Sequence, residues 1–423
     1  MSSLTIIASV VVFLLLTLLL VVILLYAKTK LMPSGNAKII VNDEKHISSP
    51  MGRTVLNTLQ ANDIFLSSAC GGGGSCGQCR CQVLEGGGEI LPTEVVFFSR
   101  KQIKDHWRLG CQAKVKEDMK IQVPEEVFGV KEWECEVISN YNVASFIKEF
   151  VVKLPEGECL NFQPGSYIQI EIPKYDLKFT EFDIEGRPDE GELDRFQSEW
   201  DKFKMWNLSC KNDEATSRAY SMANYPAEGN IVMLNIRIAT PPFDQATGTW
   251  KASIKPGIVS SYVFNMKPGD KVKIFGPYGD FHILDTKREM LYIGGGAGMA
   301  PLRSHLLYLF KTLNTTDRKI SYWYGARSKN EIFYEEDFRE IEREFPNFKF
   351  NIALSEPRPE DNWTGYVGFI HQVIFDNYLK DHETPEDIEY YMCGPGPMAK
   401  AVKDMLNNLG VPEEMLVFDD FGA

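Results

Sequence analysis

Hydrophobic and polar positions change their period along the 423-residue chain, and each change marks a different kind of element. Residues 4–26 carry no charge and are dominated by Leu, Val and Ile. At 1.5 Å per residue they predict a helix of roughly 34 Å, enough for the ~30 Å hydrocarbon layer of a bilayer. A cleavable signal peptide is the alternative, but Met1, Ser2 and Ser3 supply no basic start. Alternation over 37–41 then predicts a strand, and residues 54–61, with Val55, Leu56 and Leu59, a short amphipathic helix. Alternation over 114–123 closes that unit. From residue 131 short alternating runs follow at 134–138, 148–153, 166–172, 231–238 and 271–275. Turn signals such as Pro164-Gly165 and Pro268-Gly269 separate them, which predicts a small antiparallel barrel. After residue 285, apolar runs at 289–293, 320–324, 348–354 and 389–392 alternate with helical periodicity, as at Leu302, Leu306, Leu307 and Leu309. That alternation predicts a doubly wound parallel sheet.

Composition adds bounds. A prior of about 150 residues per domain allows roughly three soluble domains, and a hydrophobic fraction of 44% lets each bury a core. The net charge of −13, without a patch rich in Lys and Arg, argues against nucleic acid as a partner. Lys28, Lys30 and Lys38 follow the first helix and no base precedes it, so the positive-inside bias predicts a single-pass anchor with the soluble body in the cytoplasm. Residues 176–214 hold twelve acids and six bases together with Trp200 and Trp206. They read as a surface excursion from the barrel, with a protein-docking surface as the sharper alternative.

Four of the nine cysteines carry the first chemistry. Cys70, Cys76 and Cys79 crowd one glycine-rich loop, and Cys111 follows. Four thiolates on such a loop suit a 2Fe-2S cluster, whose two irons both take Cys ligands. Gly71 to Gly74 and Gly77 permit the positive φ and close backbone approach that a wrapped anionic cluster needs. Structural zinc is the rival, but it generally pairs two C-x2-C knuckles and here there is one. The C-x5-C-x2-C spacing resembles the ferredoxins, departing by one residue from the plant-type first gap; the resemblance implies a β-grasp domain over about 37–125. Cys81 reads as a buried small hydrophobe. Cys135, Cys159 and Cys210 have no partner at ligand spacing, and the set lacks the framework of a secreted disulfide scaffold.

In the barrel, Arg218, Tyr220 and Ser221 fall on one strand, where alternation puts guanidinium and phenol on the same face for a phosphate and a flat ring. Gly257 and Ser260 lie downstream at a helix start that offers N–H groups and a hydroxyl to a pyrophosphate. Here the chain resembles the ferredoxin-NADP reductase superfamily, whose barrels hold flavin with an R-x-Y-S strand and a G-x-x-S/T helix start. The resemblance implies FAD, with Arg218 and Ser260 on phosphate, Tyr220 stacked on the isoalloxazine and Ser221 near its reactive nitrogen. Gly296, Gly298 and Pro301 follow a strand and open a helix, the context in which glycines bring backbone to a phosphate. The ending in Pro looks like the superfamily's G-x-G-x-x-P. Cys393 and Gly394 are similar to its C-G-P-x-x-M, which implies that Cys393 lies beside the nicotinamide as a positioning residue. In the superfamily a C-terminal aromatic covers the flavin, a role implied for Phe421. No basic pair for a 2′-phosphate is evident, which favours NADH over NADPH.

The order of anchor (1–30), ferredoxin-type domain (37–125), FAD barrel with its charged insertion (131–283, insertion about 174–214) and NADH domain (286–423) resembles the NADH-oxidising subunits of the Na⁺-translocating NADH:quinone reductases. The fold class implied is multidomain α+β and α/β. The resemblance implies a bacterial inner-membrane protein in which electrons pass from NADH through FAD and a 2Fe-2S cluster to partner membrane subunits and ubiquinone. The alternative is a membrane-tethered reductase component of an oxygenase, whose relatives share these domains but are generally soluble. A tethered electron-carrying adaptor without NADH chemistry is a further reading, and would leave Gly296 and Cys393 without a role.

Overall fold

The computed structural model describes residues 3–31 and 35–419. Its first element is a helix, Ser3–Leu31, of 29 residues. Side chains are described in it for residues 10–23 and 26, and the hydrophobic ones from Val10 to Ile23 are exposed. Among the described residues no helix is long and apolar enough to cross a membrane.

The chain divides into two compact units, Met1–Gly129 and Val130–Ala423. In the first, five strands form a mixed sheet in the order Lys45–Pro50, Asn36–Val41, Met119–Gln122, Arg80–Glu85, Trp107–Leu109. Asn36–Val41 runs parallel to Met119–Gln122 and the other pairs are antiparallel. Asn42 and Asp43, at φ of 50° and 61°, make the tight turn between the first two strands. The helix Val55–Gln60 starts at Thr54, whose hydroxyl accepts from the Asn57 N–H at 3.2 Å. It lays Val55, Leu56 and Leu59 onto Ile39, Val41 and Ile121. That apolar seam is the support under the cysteine loop.

In the second unit, six antiparallel strands are ordered Thr216–Ser221, Tyr167–Ile172, Lys271–Tyr278, Lys131–Ala144, Ile147–Lys153, Ile231–Arg237. A bridge between Met222 and Leu234 brings the two ends together, so the sheet curls into a barrel. Inward residues such as Phe150, Ile168, Ile170, Leu234 and Ile274 are fully buried. The acidic stretch corrects the expectation of a surface excursion. Its strands Tyr175–Lys178 and Ser209–Asn212 pair with each other, and its Phe179, Phe182, Phe196 and Trp200 are buried, three of them in the barrel core cluster. Trp200 is 0% exposed and its Nε1 donates to the Ser145 carbonyl at 2.7 Å. Trp206 is half-buried and bonded to Asp201. Most of the charges face water while the aromatics, dispersed among them in sequence, fill the core, and Glu199 alone of the acids is buried; neither Trp offers an exposed docking face.

Six parallel strands complete the unit, ordered Tyr366–Val367, Phe348–Leu354, Ile320–Ala326, Met290–Gly295, Glu389–Cys393, Leu416–Asp419. Both faces are covered. Tyr292, Leu302, Tyr322 and Phe338 pack on one side, and Leu291, Trp323, Ile374 and Leu406 on the other. The order steps outward from Met290–Gly295 and then returns to its other side, so the switch point falls at the end of that strand. A polar seam joins sheet and barrel. Arg303 donates to Glu228 at 2.8 Å, to Asp337 at 2.9 Å and to the Ala223 carbonyl at 2.9 Å. Tyr334 donates to Glu149 at 2.6 Å and accepts from Asn235.

Candidate functional site

The cysteine loop is shaped by backbone. Gly71, Gly72, Gly74 and Gly77 all stand at positive φ. At Gly77 (φ 69°) a Cβ would sit 2.5 Å from the Phe97 ring, so neither the conformation nor the space admits a side chain. The four thiols stand as two pairs. Cys76 Sγ lies 3.3 Å from Cys70 Sγ, and Cys79 shares a hydrogen bond with Cys111. Within each pair the shared proton holds one thiol low and its partner high. Cys70 is lowered to about 3, first by the Cys76 thiol and further by the N–H groups of Cys76, Ser75 and Gly74, while Cys76 is raised by the same bond. Cys111 is lowered by Cys79, which is raised in turn. Among the described residues no three His, Cys, Asp or Glu side chains gather round one ion. Two thiol pairs with inward N–H groups would suit a 2Fe-2S cluster, which takes four Cys ligands, better than a single zinc. Cys81 is 0% exposed, and burial pushes its thiol up to about 12.

On the barrel's edge strand Thr216–Ser221, Arg218 stands opposite Ile170 and Tyr220 opposite Ile168, so both project from one half-exposed face. Arg218 Nη1 donates to the Ser217 carbonyl at 2.7 Å. Burial pushes the Tyr220 phenol up. The helix Ile258–Asn265 packs beside this strand and begins at Gly257, where a Cβ would meet Ala239 Cβ at 2.6 Å. Ser260 Oγ donates to the Gly257 carbonyl and accepts from the Ala239 N–H, each at 3.2 Å, so its hydroxyl pins the helix start. A cation, a flat ring and helix N–H groups thus share one open edge, which fits a dinucleotide flavin's phosphates and ring.

The nucleotide motifs meet at the switch point. Gly294 is paired with Cys393 across adjacent parallel strands. A Cβ on Gly298 would lie 2.1 Å from the Cys393 carbonyl oxygen, so glycine is what lets the helix Met299–Leu307 start against that strand. Met398 packs over both Gly295 and Gly394, whose Cβ positions lie 2.8 Å and 2.3 Å from it. Gly296 takes φ 55°, Pro301 is buried in the first helical turn, and Cys393 is 1% exposed at its strand's carboxyl end. A cavity of about 680 Å³ opens here between barrel and sheet, walled by Phe146, Phe203, Trp250, Gly296 and Pro395. Phe421 lies outside the described residues.

Two groups escaped the sequence reading. Asp419, at the end of the last strand, accepts from the Ser221 hydroxyl at 2.6 Å and so ties the sheet's edge to the flavin strand. Its only sequence signal is its place in the acidic doublet near the chain's end. Arg237 and Arg327 line the cavity from barrel and sheet, together with Glu331. Nothing in their local pattern separates them from the other surface charges.

Three family descriptions match the chain: 2Fe-2S iron-sulfur cluster binding domain over residues 39–116, oxidoreductase FAD-binding domain over 200–283, and oxidoreductase NAD-binding domain over 292–404. A Pseudomonas paraeruginosa protein, named as the F subunit of Na(+)-translocating NADH-quinone reductase, is 53% identical over 399 residues, 94% of each chain. A Klebsiella pneumoniae protein of the same name is 53% identical over 422 residues, 99% of this chain and 100% of that one. Among solved structures, the Amycolatopsis cytochrome P450 reductase GcoB superposes with a TM-score of 0.61 at 20% identity, covering 91% of this chain and 98% of its own. The ferredoxin reductase in carbazole 1,9a-dioxygenase gives 0.57 at 22% identity, covering 92% and 98%. At those identities the structural likeness speaks to fold alone. Identity above half over nearly the whole length is decisive: the chain belongs to the family of F subunits of the Na(+)-translocating NADH-quinone reductases.

Proposed function

We propose that this chain is the NADH-oxidising, electron-input subunit of a membrane Na⁺-translocating NADH:quinone oxidoreductase. Bound FAD would supply hydride acceptance from NADH, and a 2Fe-2S cluster one-electron transfer onward to partner subunits and ubiquinone. The protein's own residues bind, orient and exclude. Cys70, Cys76, Cys79 and Cys111 would hold the 2Fe-2S cluster. Arg218 and the helix start at Gly257 and Ser260 take the FAD phosphates, and Tyr220 covers the ring. Gly296 and Gly298 bring backbone to the NADH pyrophosphate, while Cys393 and Gly394 seat the nicotinamide end against Ser221. By the same resemblance Phe421 would cover the flavin.

The domains run as anchor, residues 1–30; ferredoxin type, 37–125; flavin barrel, 131–283; and nucleotide sheet, 286–423. Residues 4–26 insert as a single-pass anchor in a bacterial inner membrane, with the rest on the cytoplasmic side. The support is their uncharged composition and the lysines on one flank only. Since that segment carries no Asp, Glu, Lys, Arg or His, the sodium path belongs to the partner subunits.

The observation that carries this reading is the presence in one chain of two paired-thiol sets and of the Gly298–Cys393 junction. These are a one-electron and a hydride site in series. The test is the full chain in detergent, assayed for FAD, iron and sulfide and then mixed with NADH. Bleaching of the flavin band supports the reading; absence of bound flavin, or a spectrum that NADH leaves unchanged, removes it. Membranes carrying the complex should then reduce ubiquinone faster in the presence of sodium.

A further inference from the structure

Arg327, a cavity-lining charge that hydride transfer does not use, belongs to a cluster of charges that extends behind the wall. Arg327, directly after the strand Ile320–Ala326, lines the cavity beside Glu331. Arg358 lies in the loop after the next strand, Phe348–Leu354. Both guanidiniums are taken by one carboxylate from outside the sheet. Glu199, on the helix Gln197–Lys202 of the acidic stretch, accepts from Arg327 Nη2 at 2.8 Å through Oε2 and from Arg358 Nη2 at 2.5 Å through Oε1. Arg327 Nη2 also donates to Glu331 Oε1 at 3.2 Å, and Lys202 Nζ stands 3.6 Å from Glu199. The Glu199 side chain is 5% exposed, whereas the two arginines keep about 30%. Its neighbour Trp200 is locked into the barrel core, so the carboxylate sits on a fixed helix rather than on a wandering surface side chain.

The loops after consecutive strands, at the carboxyl ends of a doubly wound sheet, are where the ribose of an adenine dinucleotide is read. A carboxylate there suits a 2′-hydroxyl, and an arginine suits a 2′-phosphate. Here the arginines are present but already neutralised. We propose that Glu199 selects NADH against NADPH: by holding Arg327 and Arg358 in ion pairs it denies a 2′-phosphate its cations. The selecting group is thus supplied by the acidic stretch of the barrel, outside the nucleotide sheet. The inference rests on the reading of this cavity as the NADH site.

The experiment uses the full, FAD-loaded chain with Glu199→Gln, which keeps the shape and removes the charge. Released from Glu199, with Arg327 keeping only its longer bond to Glu331, the arginine pair should raise kcat/KM for NADPH by about tenfold or more, the worth of one charge-assisted bond, with the NADH value little changed. Calorimetry should show adenosine 2′,5′-bisphosphate tightening by a similar factor relative to 5′-AMP, and adding Arg327→Ala should cancel both gains. An unchanged NADPH-to-NADH ratio in a variant that keeps its FAD and its NADH rate overturns the proposal, as does a gain that survives Arg327→Ala. Should Glu199→Gln shed its FAD, Glu199→Asp withdraws the charge by one methylene. A ratio shift in the same direction then supports the proposal and an unchanged ratio overturns it. Wild-type protein inert to NADH would instead remove the reading of the cavity itself.

Discussion

In the Met1–Gly129 unit the four thiols stand close together, caged by glycines and inward N–H groups, and a buried ion pair clamps the segment that leads to Cys111. Glu94, 0% exposed, meets Arg108 at 2.8 Å and also accepts from the Leu109 N–H at 2.8 Å. In the Val130–Ala423 unit the chemistry lies instead in an open cavity whose walls come from the barrel, the acidic stretch and the sheet. Its lobes are joined by the Arg303–Glu228–Asp337 seam. A cluster that passes single electrons needs a rigid polar cage and little else. A hydride site must admit and release a dinucleotide and align two rings, so it is built across a seam. The contrast shows why one unit carries its site in a single loop and the other spreads it over much of its length.

The contrast is broken most severely by Cys76→Ala. We expect complete loss of the EPR signal of the reduced cluster, with FAD content and NADH oxidation by an artificial flavin-level acceptor largely kept; loss of both would contradict two independent sites. Next comes Glu94→Gln, which strands a buried guanidinium. Breaking such a pair costs about 3–5 kcal/mol, so the denaturation midpoint read at the cluster's absorbance should fall sharply while the flavin transition stays in place. Equal shifts in both transitions would argue against separate cores. In the other unit, Tyr220→Ala should weaken FAD binding by roughly two- to tenfold, the 0.5–1.5 kcal/mol of an aromatic contact, measured by flavin fluorescence on dilution, with iron content unchanged.

The smallest effect is a pH dependence. Burial holds the His305 imidazole down at about 4, below the usual 6.5, and its Nε2 lies 2.9 Å from the Phe281 carbonyl. The unfolded chain therefore binds the extra proton first. Stability of this unit is full above about pH 6.5 and falls as pH drops towards 4. His305→Gln should flatten the thermal midpoint across that window, and an unaltered slope would assign the acid sensitivity elsewhere.

Legibility followed the same division. Cys70, Cys76 and Cys79 are neighbours in sequence, so their grouping was visible before any fold, as was the place of the Gly298 and Cys393 motifs at the carboxyl ends of strands. Trp200 and Glu199 were not. They sit side by side in a run of charges, and only a helix fixed against the barrel turns one inward to the core and the other across to Arg327 and Arg358. Asp419 meets Ser221 through a contact spanning half the chain, which periodicity does not encode. The short helix at 54–61 was readable because Thr54 caps it and Val55, Leu56 and Leu59 share one face.

The most direct test of a one-chain splitter of electron pairs is an anaerobic titration of the iron- and FAD-replete full chain with NADH, followed by visible absorbance and EPR. With two electrons stored at the flavin and one at the cluster, saturation is expected near ~1.5 NADH per chain, with the reduced-cluster signal rising alongside flavin bleaching. Saturation at about one NADH per chain, with the flavin bleached and the cluster still oxidised, would contradict the account.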